Sequence, residues 1–368
     1  MATDNELISI LETIIHPAHK KSLTELGIVK QVSIQENEKK IHITLAYPKP
    51  TDPFANAIKK ACILAFKEKL GQDYQVEIEE SFSTARKISP EYDNLKDVKN
   101  IVAIASGKGG VGKSTVAVNL AIALSHLNAK VGLLDADLYG PSIPKMFAAE
   151  GHHPVMVEKD GKEFIEPLER YNIKVQSAGF FFNPDEALIW RGPMATNALK
   201  QMITQTLWED LDYLLIDLPP GTGDIHITLV QELPVTGAVI VSTPQKVALA
   251  DVIKGINMFR SEKINVPVLG IVENMSWFTP AELPENKYYI FGKEGCKQLA
   301  AELNVPLLGQ IPIVQSICES GDTGKPVAMN PFTLEGKAFA NLAEQVVAEI
   351  EKRNQLLPPT KKVEITHR

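Results

Sequence analysis

The residue types best suited to chemistry gather in one stretch, Gly107-Lys-Gly-Gly-Val-Gly-Lys-Ser-Thr115. It fits the phosphate-loop pattern G-x-x-x-x-G-K-[ST], with Gly107, Gly112, Lys113 and Ser114 at the fixed positions. Glycine lets the backbone curl until successive N–H groups face one anion. The whole run of Gly107, Lys108, Gly109, Gly110, Val111, Gly112, Lys113, Ser114 and Thr115 is therefore expected to line a chain of phosphates. Lys113 reaches the β- and γ-phosphates, and the Ser114 hydroxyl is offered to Mg²⁺. The chemistry this implies is nucleotide binding.

Two further apolar runs end in carboxylates. Lys130-Val-Gly-Leu-Leu-Asp-Ala-Asp137 delivers Asp135 and Asp137, and Tyr213-Leu-Leu-Ile-Asp217 delivers Asp217. Residues at the carboxyl end of a parallel strand open into the ligand crevice. Asp135 and Asp137 are thus expected beside the phosphates and metal, and Asp217 at a Mg²⁺-linked position reached through water. The Pro219-Pro-Gly-Thr-Gly223 loop that follows can register a γ-phosphate through its backbone. Tyr139-Gly-Pro-Ser-Ile-Pro144 reads as a second sharp, switch-like turn.

These residues need a frame. Ile101-Val-Ala-Ile-Ala-Ser106 is a short apolar run before the loop and reads as a buried parallel strand. Val116 to Ser125 reads as a helix whose positive end points at the phosphates. Runs at residues 237–243, 266–272 and 306–313 add buried strands. Strands alternating with helices give an α/β fold, a doubly wound, mostly parallel sheet over residues 99–350.

A small α+β domain is expected ahead of it, over residues 1–82. Leu7, Ile8, Leu11, Ile14 and Ile15 recur at helical spacing, so residues 5–15 read as an amphipathic helix. Ile28, Val32 and Ile34 mark a strand, and Ile41, Ile43, Leu45 and Tyr47 alternate as a second, half-buried one. Residues 48–53 read as a loop, 55–70 as a helix and 74–79 as a third strand. Cys62 lies on that helix between apolar neighbours and reads as a buried structural thiol. Residues 83–98 read as a polar linker and 351–368 as a polar tail.

Composition narrows the remaining choices. The 368-residue chain carries a net charge of −7, which gives no reason to expect nucleic acid as a partner. No apolar run approaches the roughly 20 residues that cross a bilayer. The acidic start and three cysteines, Cys62, Cys296 and Cys318, lead to the expectation of a reducing cytoplasm. Paired prolines in the tail break any amphipathic membrane helix there.

Lys108 is not required by a simple phosphate loop. Gly-Lys-Gly-Gly-x-Gly-Lys-[ST] resembles the deviant loop of the MinD/ParA/nitrogenase-iron-protein group. Within that group the chain is most similar to the Mrp-type iron–sulfur cluster carrier ATPases. The resemblance covers residues 98–345 and rests on the loop with Trp190-Arg-Gly-Pro-Met194, Leu211 to Asp224, Ser242 to Asp251 and Gly270-Ile-Val-Glu-Asn-Met-Ser276. Leu26-Gly-Ile-Val29 and the strand, loop and helix after it resemble the iron–sulfur-assembly-type domain that often precedes such ATPases.

The resemblance implies an ATP-hydrolysing homodimer in which Lys108 reaches across to the nucleotide of the partner protomer. It also implies that Asp137 orients the attacking water, that Asn274 contacts adenine, and that apoproteins or iron–sulfur assembly factors are the partners. One departure stands out. Cluster-carrying members have a Cys-x-x-Cys pair shortly after the Asn-Met-Ser segment, whereas this chain has Trp277-Phe-Thr-Pro-Ala-Glu-Leu-Pro284. A [4Fe–4S] cluster takes about four thiolates, so Cys296 and Cys318 serve only if both converge across a dimer. Phe180, Phe181 and Phe182 read as packing or a partner surface. A MinD/ParA-like switch that positions a protein partner without carrying a cluster is the alternative.

Overall fold

In the computed structural model the chain divides into two compact units, Met1–Glu91 and Tyr92–Arg368. The structure describes residues 4–17, 21–35 except 25 and 27, 39–47, 54–82 except 72, 94–181, 192–223, 226, 227, 229, 233–280 except 263, and 282–358. The readings placed on residues 48–53, 83–93, Phe182, Trp190, Arg191, Asp224 and 359–368 lie outside the described residues.

The first unit follows the expected order: α1 (Asp4–Glu12), β1 (Val29–Gln35), β2 (Lys40–Tyr47), α2 (Ala55–Leu70) and β3 (Gln75–Phe82). β2 lies between the other two strands, antiparallel to β1 and parallel to β3. Its alternation buries Ile41, Ile43 and Leu45 against Leu7 and Leu11 of α1 and Ile58, Cys62 and Phe66 of α2. Each such side chain contributes about 1.5–3 kcal/mol when fully buried. Burial raises the Cys62 thiol to about 12, as a packing residue requires. α1 stops at Glu12 rather than running to residue 15, and Ile15 instead bridges to Ser22.

The second unit holds strands β4 (Val98–Ala105), β5 (Val131–Asp135), β6 (Val155–Lys159), β7 (Lys162–Glu166), β8 (Leu168–Arg170), β9 (Ile173–Ser177), β10 (Leu211–Asp217), β11 (Gly237–Ser242), β12 (Val268–Glu273) and β13 (Leu307–Gln310). Its helices are α3 (Lys113–His126), α4 (Ile143–Met146), α5 (Gly192–Gln205), α6 (Lys246–Arg260), α7 (Gly295–Glu302), α8 (Gln315–Thr323) and α9 (Leu334–Leu356). The large sheet runs β13-β12-β11-β4-β10-β5-β9-β8, while β6 and β7 form a separate hairpin. All of its pairings are parallel except that of β8 with β9.

Side-chain alternation along β4 sorts the core into two layers. Ile101, Ala103 and Ala105 pack with Leu199 of α5, Ile256 of α6 and Leu299 of α7. Val102 and Ile104 pack with Val116 and Leu120 of α3 and Phe339 and Leu342 of α9. Helices therefore cover both faces, as a doubly wound sheet requires. The strands β6 to β9 were not legible as strands. Two of them form an isolated hairpin, and β8 and β9 build out one edge of the sheet beyond β5.

Candidate nucleotide site

The register of the sheet builds the site. β10 lies between β4 and β5, so Asp217 pairs with Ile104 on one side and with Asp135 on the other. Asp135 in turn pairs with Ser177 of β9. The two carboxylates thus stand side by side where the strands end, next to the loop that joins β4 to α3.

That loop is held by close backbone packing. Gly110 and Gly112 have φ of +81° and +79°, which an L side chain rarely adopts. A Cβ at Gly107 would lie 2.4 Å from the backbone of Asp251 on α6, and one at Gly112 would lie 2.3 Å from Asn274 Nδ2. Asn274 is buried and donates from Nδ2 to the Val111 carbonyl at 2.8 Å. The structure therefore shows Asn274 as a clamp on the phosphate loop. A cavity of about 230 Å³ opens above the loop, lined by Lys108, Gly110, Lys113, Ser114, Asp137 and Pro220 among others.

A buried, charged cluster underlies this cavity. Lys113 is 6% exposed, and its Nζ lies 2.6 Å from Asp217 Oδ1 and 3.3 Å from Ser114 Oγ. Asp217 Oδ2 is buried with no hydrogen-bond partner among the described residues. Asp135 accepts from Ser177 Oγ at 2.8 Å, from the Asp137 N–H at 3.2 Å and from the Ile143 N–H at 3.4 Å. Burial, then the facing Asp217 carboxylate, pushes Asp135 up to about 7. Burial raises Asp217 as well, against the pull of Lys113.

Two buried carboxylates share one buried ammonium, an arrangement that favours a further cation. The oxygens of Ser114, Asp135 and Asp217 are hard donors, and the unpartnered Asp217 Oδ2 leaves room in the donor set, so these residues fit Mg²⁺. Among the described residues, no three His, Cys, Asp or Glu side chains are grouped to hold a metal ion by themselves. Mg²⁺ suits such a place because it binds through one or two carboxylates together with substrate phosphates.

The remaining expected residues fall around the rim. Asp137 Oδ1 accepts from the Tyr139 and Gly140 N–H groups at 3.3 and 3.2 Å, which fixes the carboxylate at the cavity wall. Lys108 is exposed and has no ion pair among the described residues. Pro220 lines the cavity, and the Gly221 N–H donates to the Ser106 carbonyl at 2.9 Å, so the Pro-Pro-Gly-Thr-Gly loop lies against the phosphate loop. Ser177 went unread because its strand did. Only the apolar alternation of Ile173 and Val175 before it carried a signal.

The structure does not bring the two cysteines of this unit together. Cys296 is fully buried on α7, within the core layer of α5 and α6. Its N–H donates to Glu273 Oε2 at 2.8 Å and its Sγ to the Thr243 carbonyl at 3.6 Å. Burial, followed by the Glu273 charge, raises its thiol to about 12. Cys318 is exposed on α8, whose Ile317 packs against the opposite layer. In the segment that stands in place of a Cys-x-x-Cys pair, Phe278 bridges to Tyr288 and Ile313, and the Lys287 ammonium sits 4.0 Å from the centre of the Trp277 ring. Phe180 is buried edge-on to His152 at 4.8 Å, and Phe181 is partly exposed.

Comparison with known proteins gives this geometry a family. The model described as NUBPL iron-transfer P-loop NTPase matches residues 97–347, and the one described as iron-sulfur cluster assembly protein matches residues 4–79. An iron-sulfur cluster carrier protein of Synechocystis sp. is 42% identical over 95% of this chain and 98% of its own length. The iron-sulfur cluster transfer protein NUBPL of Dictyostelium discoideum is 46% identical over 70% of this chain and 78% of its own. Among solved structures, a nucleotide-binding protein from Archaeoglobus fulgidus in complex with ADP is 35% identical, with a TM-score of 0.57 over 67% of this chain and 94% of that one. The chain belongs to the NUBPL iron-transfer P-loop NTPase family and carries an iron–sulfur-assembly-type unit ahead of its P-loop NTPase unit.

Proposed function

We propose that this chain is a Mg²⁺-dependent ATP hydrolase, working as a homodimer in the assembly of iron–sulfur clusters or their transfer to apoproteins. The observation that carries this reading is the buried Lys113–Asp217 pair on the floor of a glycine-built cavity, with Asp217 Oδ2 unpartnered. The names of the relatives point the same way. They favour cluster transfer over a switch that merely positions a protein. Residues 1–82 act as an accessory domain, joined through residues 83–98 to the ATPase domain over 99–350.

In this reading Lys113 exchanges Asp217 for the β/γ-phosphates when ATP enters. The N–H groups from Gly109 to Thr115 hold the phosphate oxygens. Mg²⁺, when bound, neutralises charge on those oxygens, with Ser114, Asp135 and Asp217 as the groups that would hold it. Asp137 accepts from the attacking water and aims it. Lys108, exposed and unpaired, extends to the nucleotide of the partner protomer. A cross-subunit cation of this kind is worth roughly 10³–10⁵ in rate in enzymes that use an arginine finger.

The cluster is cargo rather than a resident group. Cys296 is sealed in the core, so Cys318 is the accessible thiol of the ATPase unit among the described residues. We place the remaining thiolates on the protein that gives or receives the cluster. The test joins two measurements on anaerobically purified protein: ATP turnover of wild type against Lys113→Ala, and iron and sulfide content. Turnover that depends on Lys113, with well under about four irons per dimer, supports the reading. Turnover indifferent to Lys113 removes the ATPase assignment, and a stable full complement of iron removes the placement of the thiolates.

A further inference from the structure

Behind the cavity wall sits a buried group that the chemistry above does not use. His226 is 1% exposed, and among the described residues neither of its ring nitrogens has a hydrogen-bond partner. A neutral imidazole carries one donor and one acceptor, so burying both unmet is unfavourable. Polar groups left in this state are rare in folded proteins and call for a cause. An apolar side chain would pack the same space without the penalty.

The location supplies the cause. His226 follows the Pro-Pro-Gly-Thr-Gly loop, and its own N–H donates to the Gly223 carbonyl at 3.1 Å. Pro220 of that loop lines the phosphate cavity, and Gly221 is tied to Ser106 at the end of β4. Burial, with the Lys113 charge adding to it, keeps the ring below the usual histidine range and therefore neutral. The carbonyls of Pro219 and Gly223 pull the other way as hydrogen-bond acceptors at the ring, although neither meets it with the geometry of a full hydrogen bond. Asp217 Oδ2, just before the loop, is unpartnered too. Two unmet buried groups thus bracket one loop that borders the phosphates.

We infer that His226 is a positioning residue for ATP hydrolysis, unsatisfied while the site is empty and hydrogen-bonded to a carbonyl of its own loop when phosphate draws that loop closed. The penalty in the open state biases the loop towards the closed one. This inference rests on the ATPase reading above.

The test uses the full chain with His226→Leu and His226→Gln, measuring kcat, KM for ATP and the nucleotide-free thermal midpoint. Leucine removes the unmet groups, so the midpoint should rise by roughly 2–4 °C. It also removes the closing hydrogen bond, so kcat should fall about tenfold, the upper range for one such bond, with KM within about twofold. Glutamine keeps an N–H and should recover at least half of the lost kcat. Wild-type kcat in the leucine variant overturns the inference. So does an equal loss in both variants with a lowered midpoint, because packing alone would produce it. If wild type shows no Lys113-dependent hydrolysis, the ATPase reading itself has failed and the inference falls with it; that result comes from wild type and Lys113→Ala, not from the His226 variants.

Discussion

Two buried polar clusters sit where strands of the same sheet end, and they are built to opposite rules. Beyond β10 and β5, Lys113 faces Asp217 and Asp135, while Asp217 Oδ2 and the His226 ring have no hydrogen-bond partners among the described residues. Beyond β12, Glu273 is fully buried as well, yet its Oε2 accepts from the Cys296 N–H and its Oε1 from Gln310 Nε2 at 2.7 Å. Ser276 Oγ donates to the Glu273 carbonyl, and Asn274 closes onto Val111. The first cluster is left open and the second closes on itself. Unmet polar groups are tolerated where a ligand completes them, whereas a scaffold meets its own needs. The difference assigns work to the first and support to the second.

Breaking the open cluster should have the largest effect. Lys113→Ala removes the cation that meets the phosphates, and ATP turnover should fall at least about 100-fold, as when one preorganised charge-stabilising donor is lost. It also strands a buried carboxylate, which costs about 3–5 kcal/mol when the charge stays. Lys113→Ala combined with Asp217→Asn should therefore regain much of the stability in urea unfolding and none of the turnover. Near-normal hydrolysis in the single variant would place the chemistry elsewhere. Next comes Lys108. Mixing Lys108→Ala with Lys113→Ala protomers creates dimers in which one site has both lysines, so part of the lost activity should return. Proven heterodimers without activity would confine Lys108 to its own protomer.

The phosphate loop, the three aspartates and the buried strands β4, β5, β10, β11 and β12 could be read because glycine spacing and continuous apolar runs are local signals. Asn274 is expected at adenine by resemblance alone, and its hydrogen bond to Val111 depends on how the loop after β12 meets the phosphate loop, which no local pattern encodes. β8 hid because it is a three-residue, partly exposed edge strand, and β9 because Lys174, Gln176 and Ser177 interrupt its apolar pattern although nearly all of it is buried; Ser177 hid with it. His226 and Glu273 look like ordinary polar residues in sequence. Both are buried, and only the partners that tertiary packing brings separate the one left unmet from the one that is paired.

pH sharpens the comparison at smaller scale. Asp135 stands at about 7 in the folded chain against an ordinary 3.8, so the folded state holds its proton more tightly. Its contribution is fully present below about pH 4 and is lost as pH rises through about 7. The ligand-free protein should thus lose stability over that window, on the order of a few kcal/mol, and Asp135→Asn should flatten the profile. A slope unchanged in the variant would assign it to other groups. Glu273→Gln, in the closed cluster, should instead cost about 1–3 kcal/mol through mismatched hydrogen bonds and leave ATP turnover unaltered. Lost turnover with intact stability would join the two clusters into one site.

The smallest effect is one of reactivity, and it asks whether the closed cluster stays closed. Only thiolate is alkylated at a useful rate. With its thiol at about 12, Cys296 is ionised at pH 8 in roughly one molecule in ten thousand, and it is buried besides. Cys62 shares both features in the first unit. Cys318 is exposed. Iodoacetamide should therefore modify the native protein once per chain, at Cys318, with Cys62 and Cys296 labelling only in denaturant. Peptide mass spectrometry reads the three sites separately. If Cys296 labels as fast as Cys318, then α7 opens under native conditions, Glu273 loses its Cys296 N–H donor when it does, and a thiolate becomes available to an iron–sulfur cluster at the place where the packing seals it away.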